Sequence, residues 1–325
     1  MSKPRITLLL GDRNGIGPEL AAKLLSDPET FEAADITVFG DPAVLEEGKA
    51  AAKRDVKSNR FAVESYLPVE GLGSKPGEVC GEAGKEMLAC LSTAAKDVEA
   101  GKSDGVIFAP LNKASMHQGG LRHEDEMRFI ADELAYTGPF GELNVLDNLW
   151  TTRVTSHIPI KDVAENITTE GVLKATRFAH ETLRSAGFEN PRLGVAGLNP
   201  HAGDGGNFGT EEIEIIDPAV EQAKAKGINV EGSYPADTVF VRAFKGDFDA
   251  VVTMYHDQGQ IAMKLKGLGR GVTVLGGLPV PVTTCGHGTG YDIVGQGIAN
   301  DESMRNAFRI CCDMAKARVA NGGGA

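Results

Sequence analysis

Cysteine is scarce in this chain and nowhere suitably paired. The five residues, Cys80, Cys90, Cys285, Cys311 and Cys312, form no CxxC motif, which argues against a zinc ribbon, and their odd number argues against a disulfide framework. They are expected to be reduced thiols in the core or at the surface. Long apolar runs are missing as well. The first hydrophobic stretch, Ile6–Leu10, is too short for a signal-peptide core or a membrane span, so a cytoplasmic protein with no membrane partner is expected. Positive charge is in deficit, with 33 Lys and Arg against 45 Asp and Glu and a formal net charge of −12. Affinity for nucleic acid rests on clustered Lys and Arg, and none is expected here. Two nucleotide-binding signatures are absent too: there is no GxGxxG, and the first glycine-rich loop lacks the GKS or GKT ending of a Walker loop.

What is present is a soluble-type composition, 325 residues with 42% apolar side chains, enough for two ordinary domains. Short apolar runs suited to buried strands alternate with helical spacing. Strands are predicted at Ile6–Leu10, Asp35–Gly40, Gly105–Ala109, Trp150–Thr155, Leu193–Gly197 and Ala250–Met254, and helices at Pro18–Leu25 and Ala83–Glu99. The alternation predicts an α/β protein with a substantially parallel sheet. Gln222–Gly227 and Ser303–Ala320 read as exposed or half-exposed helices, and Asn321–Ala325 as a glycine-rich, frayed tail. No internal repeat or long low-complexity linker interrupts the pattern.

Three of the seven histidines, His157, His201 and His256, open polar segments just after predicted strands: TSHIP, GLNPHAGDGGNFGTEE and MYHDQG. A lone histidine in such a place is usually a hydrogen-bonding loop residue. Three in matching contexts point to a divalent metal, since imidazole suits Zn, Co, Ni or Fe and a nearby oxygen donor such as Asp257 admits Mg or Mn. Ligands of open α/β sheets gather outside strand ends, so one cleft is expected to carry the chemistry. The first loop, GDRNGIGPE at 11–19, joins a strand to a helix. Its glycines permit tight turns and Pro18 suits a helix start.

This loop resembles the GDPxGIGPE opening of the PdxA family, the 4-hydroxythreonine-4-phosphate dehydrogenases, and more distantly the GDGIGPE of isocitrate and isopropylmalate dehydrogenases. The resemblance continues through APLNKA at 109–114, GLNPHAGDGG, PADT at 235–238, MYHDQG, GLGRG at 267–271 and HGTGYDIVGQG at 287–297. It implies a two-domain isocitrate/isopropylmalate dehydrogenase-like fold, three-layer α/β/α with a mixed, largely parallel sheet. The domains expected are residues 1–119 plus about 275–325, and about 120–274, the second carrying the metal ligands and a dimer interface. The implied ligands are His157, His201 and His256, the third supplied by the other subunit of a homodimer with shared active sites. The family's substrate-binding lysine falls on Lys264. Asp257 is a candidate to orient His256 or take part in proton transfer, and Lys113 is a second catalytic candidate; Arg270 is a candidate substrate contact. Gly203, Gly205, Gly206 and Asn207, with His287 and Asp292, are candidate contacts to NAD or NADP.

The departures fall on the substrate pocket. An ungapped count puts Glu126 and Met127 where the family has the His and Thr of its GHTE segment, and Thr273 and Val282 where it has a substrate-binding Asn and Arg. These four are therefore candidate substrate contacts, and the expected substrate is a hydroxy acid resembling 4-phosphohydroxy-threonine but differing from it. The activity implied is metal- and NAD(P)-dependent oxidation of a CH–OH group, followed by decarboxylation of the β-keto acid. A metal-dependent decarboxylase or hydrolase without hydride transfer, and a catalytically silent metabolite-binding protein, stay open on the sequence.

Overall fold

The computed structural model describes residues 3–56, 61–64 and 75–320; the predicted C-terminal tail lies outside them. Among the described residues eleven strands occur in chain order as β1 (Arg5–Leu9), β2 (Asp35–Phe39), β3 (Ala62–Glu64), β4 (Gly105–Phe108), β5 (Gly141–Leu146), β6 (Leu149–Arg153), β7 (Leu193–Ala196), β8 (Val230–Tyr234), β9 (Ala250–Thr253), β10 (Val272–Gly276) and β11 (Val282–Cys285). They fall into two compact units, one of residues 1–138 and 272–325 and one of 139–271.

In the first unit the strand order is β3-β2-β1-β4-β11-β10. All neighbours are parallel except β10 and β11. Strand β4 reads GVIF and is buried at every position, as expected of a strand covered on both faces. Leu9, Phe39, Val106 and Phe108 pack on Met87, Leu91 and Ala94 of the helix Gly81–Glu99. On the C-terminal helix Glu302–Ala320, the Ala307 carbonyl accepts a hydrogen bond from Thr283 of β11. A Cβ on Gly105 would meet Cys311 of that helix at 2.8 Å, so glycine lets helix and strand approach. The sequence reading of this helix as merely exposed or half-exposed understates its role: Met304, Ala307, Phe308, Cys311 and Ala315 form a fully buried face. All five cysteines are free and buried, and burial pushes the Cys90 and Cys285 thiols up to about 12.

The second unit orders its strands β5-β6-β9-β7-β8, with β6, β9, β7 and β8 parallel and β5 antiparallel to β6. Leu146, Leu149, Val251, Phe240, Phe248 and Met263 form its apolar core. The helix Thr169–Ser185 buries Val172, Thr176, Ala179 and Leu183, a stripe at helical spacing.

Two differences from the sequence reading have simple causes. Strands β3, β5, β8, β10 and β11 were not predicted: β3 has only three residues, GELNVL and VEGSY mix polar with apolar residues, and VTVLG and VTTC lie in segments otherwise read as substrate contacts. The helix Glu126–Glu133, expected in the second domain, packs in the first unit, because Ile130 and Leu134 join the cluster around Met87 and Leu91.

Candidate metal and substrate site

Strands β6, β9 and β7 are consecutive parallel neighbours, so their C-terminal ends lie along one edge of the second unit's sheet. His157 follows β6, His256 follows β9 and His201 follows β7. The strand ends are tied together. Both the amide and the hydroxyl of Thr155 donate to the Met254 carbonyl. Gln258 accepts from the Met254 amide at 2.7 Å and donates to the Gly197 carbonyl at 2.8 Å, linking β9 to β7. Sequence reading missed Gln258; its signal was its place in HDQG.

His157 and His256 come together, with ring centroids 5.6 Å apart. Nδ1 of His256 lies 2.6 Å from the Asp257 carboxylate. A carboxylate there fixes the tautomer that leaves Nε2 with its electron pair, the arrangement common among metal-binding imidazoles. His201 is not part of this pair. Among the described residues, no group of three His, Cys, Asp or Glu side chains could hold a metal ion.

His201 stands instead on a left-handed turn. His201, Ala202, Gly203, Asp204 and Gly205 all have positive φ, between 46° and 78°, a conformation that costs a non-glycine residue roughly 1 kcal/mol or more. The turn is held from beneath by Glu212, only 1% exposed. Its carboxylate accepts from the amides of Leu198 (2.7 Å) and Asn199 (2.8 Å) and from the Asn199 side chain (2.9 Å). Burial alone would raise the Glu212 pKa, but these donors outweigh it and hold the carboxyl below its ordinary range. Gly203 is required, since a Cβ would meet Glu212 Oε2 at 2.7 Å and φ is +78°. Asn207 donates to Asp204 at 3.0 Å and caps the same turn. Thus Gly203, Gly205, Gly206 and Asn207, predicted as cofactor contacts, build the turn that presents His201. No spacing rule flagged Glu212 as its support.

The remaining candidates are dispersed. Lys264 lies exposed on the helix His256–Gly267, in its last turn. Arg270 pairs with Asp147 at 2.8 Å and donates to the Lys266 carbonyl. Thr273 is half-buried on β10, opposite Thr284. In the first unit, Lys113 Nζ is 3.8 Å from Glu126, and Met127 packs against the apolar core. His287 is half-buried with Nε2 unpartnered, while Asp292 is exposed.

The GDRNGIGPE loop is locked into the first unit. Asp12, fully buried, accepts from the Tyr291 hydroxyl at 2.5 Å and from the Asn14 amide at 2.9 Å. Burial raises the Asp12 pKa despite these bonds. Lys23, paired with Glu19 at 2.7 Å, also donates to the carbonyls of Gly297 and Ala299. Replacing Tyr291 with Phe leaves a buried Asp12 oxygen without its donor. Equilibrium denaturation is expected to show a loss of about 1–3 kcal/mol.

A family model described as pyridoxal phosphate biosynthetic protein PdxA matches residues 32–311. The chain belongs to the PdxA family. A Pseudomonas aeruginosa relative, provisionally named 4-hydroxythreonine-4-phosphate dehydrogenase 2, is 45% identical, and the match covers 97% of this chain and 98% of the relative. The D-threonate 4-phosphate dehydrogenase of Cupriavidus necator is 38% identical, covering 97% and 98%. A crystal structure of 4-hydroxythreonine-4-phosphate dehydrogenase from Klebsiella pneumoniae superposes with a TM-score of 0.83 at 31% identity, over 96% of this chain and 100% of that one. The expected isocitrate/isopropylmalate dehydrogenase-like α/β fold is the fold of this PdxA chain. One pocket assignment is corrected. Val282, set against a substrate-binding arginine of the PdxA family, is 1% exposed and belongs to the cluster beneath the helix Gly81–Glu99, so its side chain packs in the core.

Proposed function

We propose that this chain is a metal- and NAD-dependent dehydrogenase that oxidises the secondary alcohol of a phosphorylated four-carbon hydroxy acid. The observation that carries this reading is the His157–His256 pair with Asp257 on Nδ1. Two imidazoles and an orienting carboxylate at a strand edge suit a divalent cation, with Zn, Co and Ni favoured by the nitrogen donors and Mg or Mn admitted by oxygen. When bound, the cation supplies Lewis acidity at the substrate hydroxyl and the nicotinamide ring accepts hydride.

The chain's own residues then have assignable tasks. The family resemblance implied that His256 crosses from the other subunit, but His157 and His256 lie together in one chain; in this reading they hold the cation from one subunit and His201 of a second subunit completes the set of a homodimer with shared sites. Ile261, Leu265 and Leu268 support the dimer: they recur at helical spacing and are 59%, 84% and 81% exposed, an apolar stripe suited to burial by a second copy. Asp257 keeps His256 in its ligating tautomer and is placed to relay the hydroxyl proton. Lys264, two turns along the helix from His256, pairs with an anionic group of the substrate. In the first unit, the exposed Asp292 carboxylate suits a ribose hydroxyl of NAD.

The named substrates of relatives, 4-hydroxythreonine-4-phosphate and D-threonate 4-phosphate, set the substrate class. Both place a carboxylate β to the ketone formed at C3, so carbon dioxide is lost after oxidation. With Val282 in the core, the expectation of a substrate that differs from 4-phosphohydroxy-threonine loses its main support, and phosphate is retained in the class. The test is NADH formation with both phosphorylated acids and their dephosphorylated forms, with Mg, Mn, Co and Zn each supplied. At least one phosphorylated acid is expected to reach kcat/KM on the order of 10⁴ M⁻¹s⁻¹, with a large loss on removing the phosphate. NADH formation from none of them would return the chain to the non-redox readings.

A further inference from the structure

We infer that Glu212 is a positioning residue for His201: its buried carboxylate sets the left-handed turn that aims this imidazole. The inference rests on the reading above that His201 is a metal ligand. Three of the five residues in the turn, His201, Ala202 and Asp204, are not glycine and yet adopt positive φ. Such a run persists only where the surroundings over-determine it. The surroundings here centre on one side chain. Glu212 gathers the amides of Leu198 and Asn199 on Oε1 and the Asn199 amide group on Oε2, fixing the two residues that lead into the turn. It also touches the turn's centre, for the Cβ positions of Gly203 and Gly197 would fall 2.7 and 3.0 Å from its two oxygens. Glu211 takes a second bond from Asn199, at 2.7 Å. The turn is then closed by the Ala202 amide on the Asn199 carbonyl and the Phe208 amide on the Gly203 carbonyl.

The chemistry requires a carboxylate. Every partner of Glu212 at this point is an N–H donor, so the group must accept on both oxygens. Glutamine has almost the same volume, but its NH₂ would face one of those donors. Glu212 lies beneath the turn and acts on the metal only through the placement of His201.

The experiment compares Glu212→Gln, Asn199→Ala and His201→Ala dimers with the wild type. Co²⁺ affinity is read by equilibrium titration, ligand geometry by the visible spectrum at saturating Co²⁺, and fold by thermal unfolding without metal. Glu212→Gln and Asn199→Ala are expected to weaken Co²⁺ binding about 10–100-fold and to shift the visible bands. A purely structural role would leave those bands unchanged. Native affinity and an unchanged spectrum in Glu212→Gln, with His201→Ala abolishing binding, would overturn the positioning role alone. Native Co²⁺ affinity in His201→Ala would instead overturn the ligand reading. If Glu212→Gln fails to fold, Asn199→Ala decides: an unchanged spectrum there overturns the inference.

Discussion

Mixed dimers of His201→Ala with either His157→Ala or His256→Ala are expected to recover activity, while mixtures of His157→Ala with His256→Ala are expected to recover none. Each variant alone should fall to background. The pattern follows from which ligands one chain brings together. His157 and His256 are 5.6 Å apart within one subunit, and no third side chain of the ligating types completes a set among the described residues. If His201 crosses from the second subunit, a heterodimer of His201→Ala and His256→Ala contains one site with all three ligands and one with a single ligand. Random exchange makes half of the dimers mixed, and each has one working site of two, so recovery approaches roughly a quarter of the wild-type rate in a symmetric dimer. Pairing His157→Ala with His256→Ala spoils both sites. Recovery from that pair would place His157 and His256 on different subunits of a site, and no recovery from His157→Ala with His201→Ala would then restore His256 as the ligand supplied across the dimer.

The second large effect concerns Val282. Introducing arginine there should not rebuild a phosphate anchor; it should unfold the first unit. The side chain is 1% exposed, on β11, in a cluster with Leu91, Val106, Phe108 and Leu275. An unpaired guanidinium in that position carries a desolvation penalty of several kcal/mol, comparable with a domain's whole stability. Val282→Ala, by contrast, removes two methyl groups and is expected to cost about 2 kcal/mol. Urea denaturation of both variants checks this. A soluble Val282→Arg protein with wild-type stability would put the side chain back in a pocket.

Much of the fold was legible in the sequence because buried parallel strands write themselves as short apolar runs. Leu193–Ala196 and Ala250–Thr253 are buried throughout, and both were read correctly to within a residue. The polar strands β5 and β8 carry no such mark. Each of the three histidines follows a strand that the sequence marks. That His157 and His256 meet while His201 stands apart was not legible, since the sequence does not record that β9 lies between β6 and β7. Glu212 was invisible for a different reason. Its contacts lie 13 and 14 residues upstream, and a carboxylate in GTEEIE reads as a solvated helix start until its burial is known. Val282 misled because matched register along a strand says nothing about which face a side chain takes.

The chain leaves the first unit at residue 138 and re-enters it at 272, which imposes an order on biosynthesis. Residues 139–271 are contiguous and can settle as soon as they clear the ribosome. Strand β4 cannot: its neighbour β11 and its covering helix Glu302–Ala320 are made only much later. For the time needed to translate over 170 further residues, the GVIF edge and the apolar face of the helix Gly81–Glu99 wait without their final cover. Such an uncovered strand edge is a template for wrong pairing. A nascent chain stalled before residue 282 should therefore bind a holdase chaperone through its first third, and a chain in which the helix Glu302–Ala320 has emerged should not.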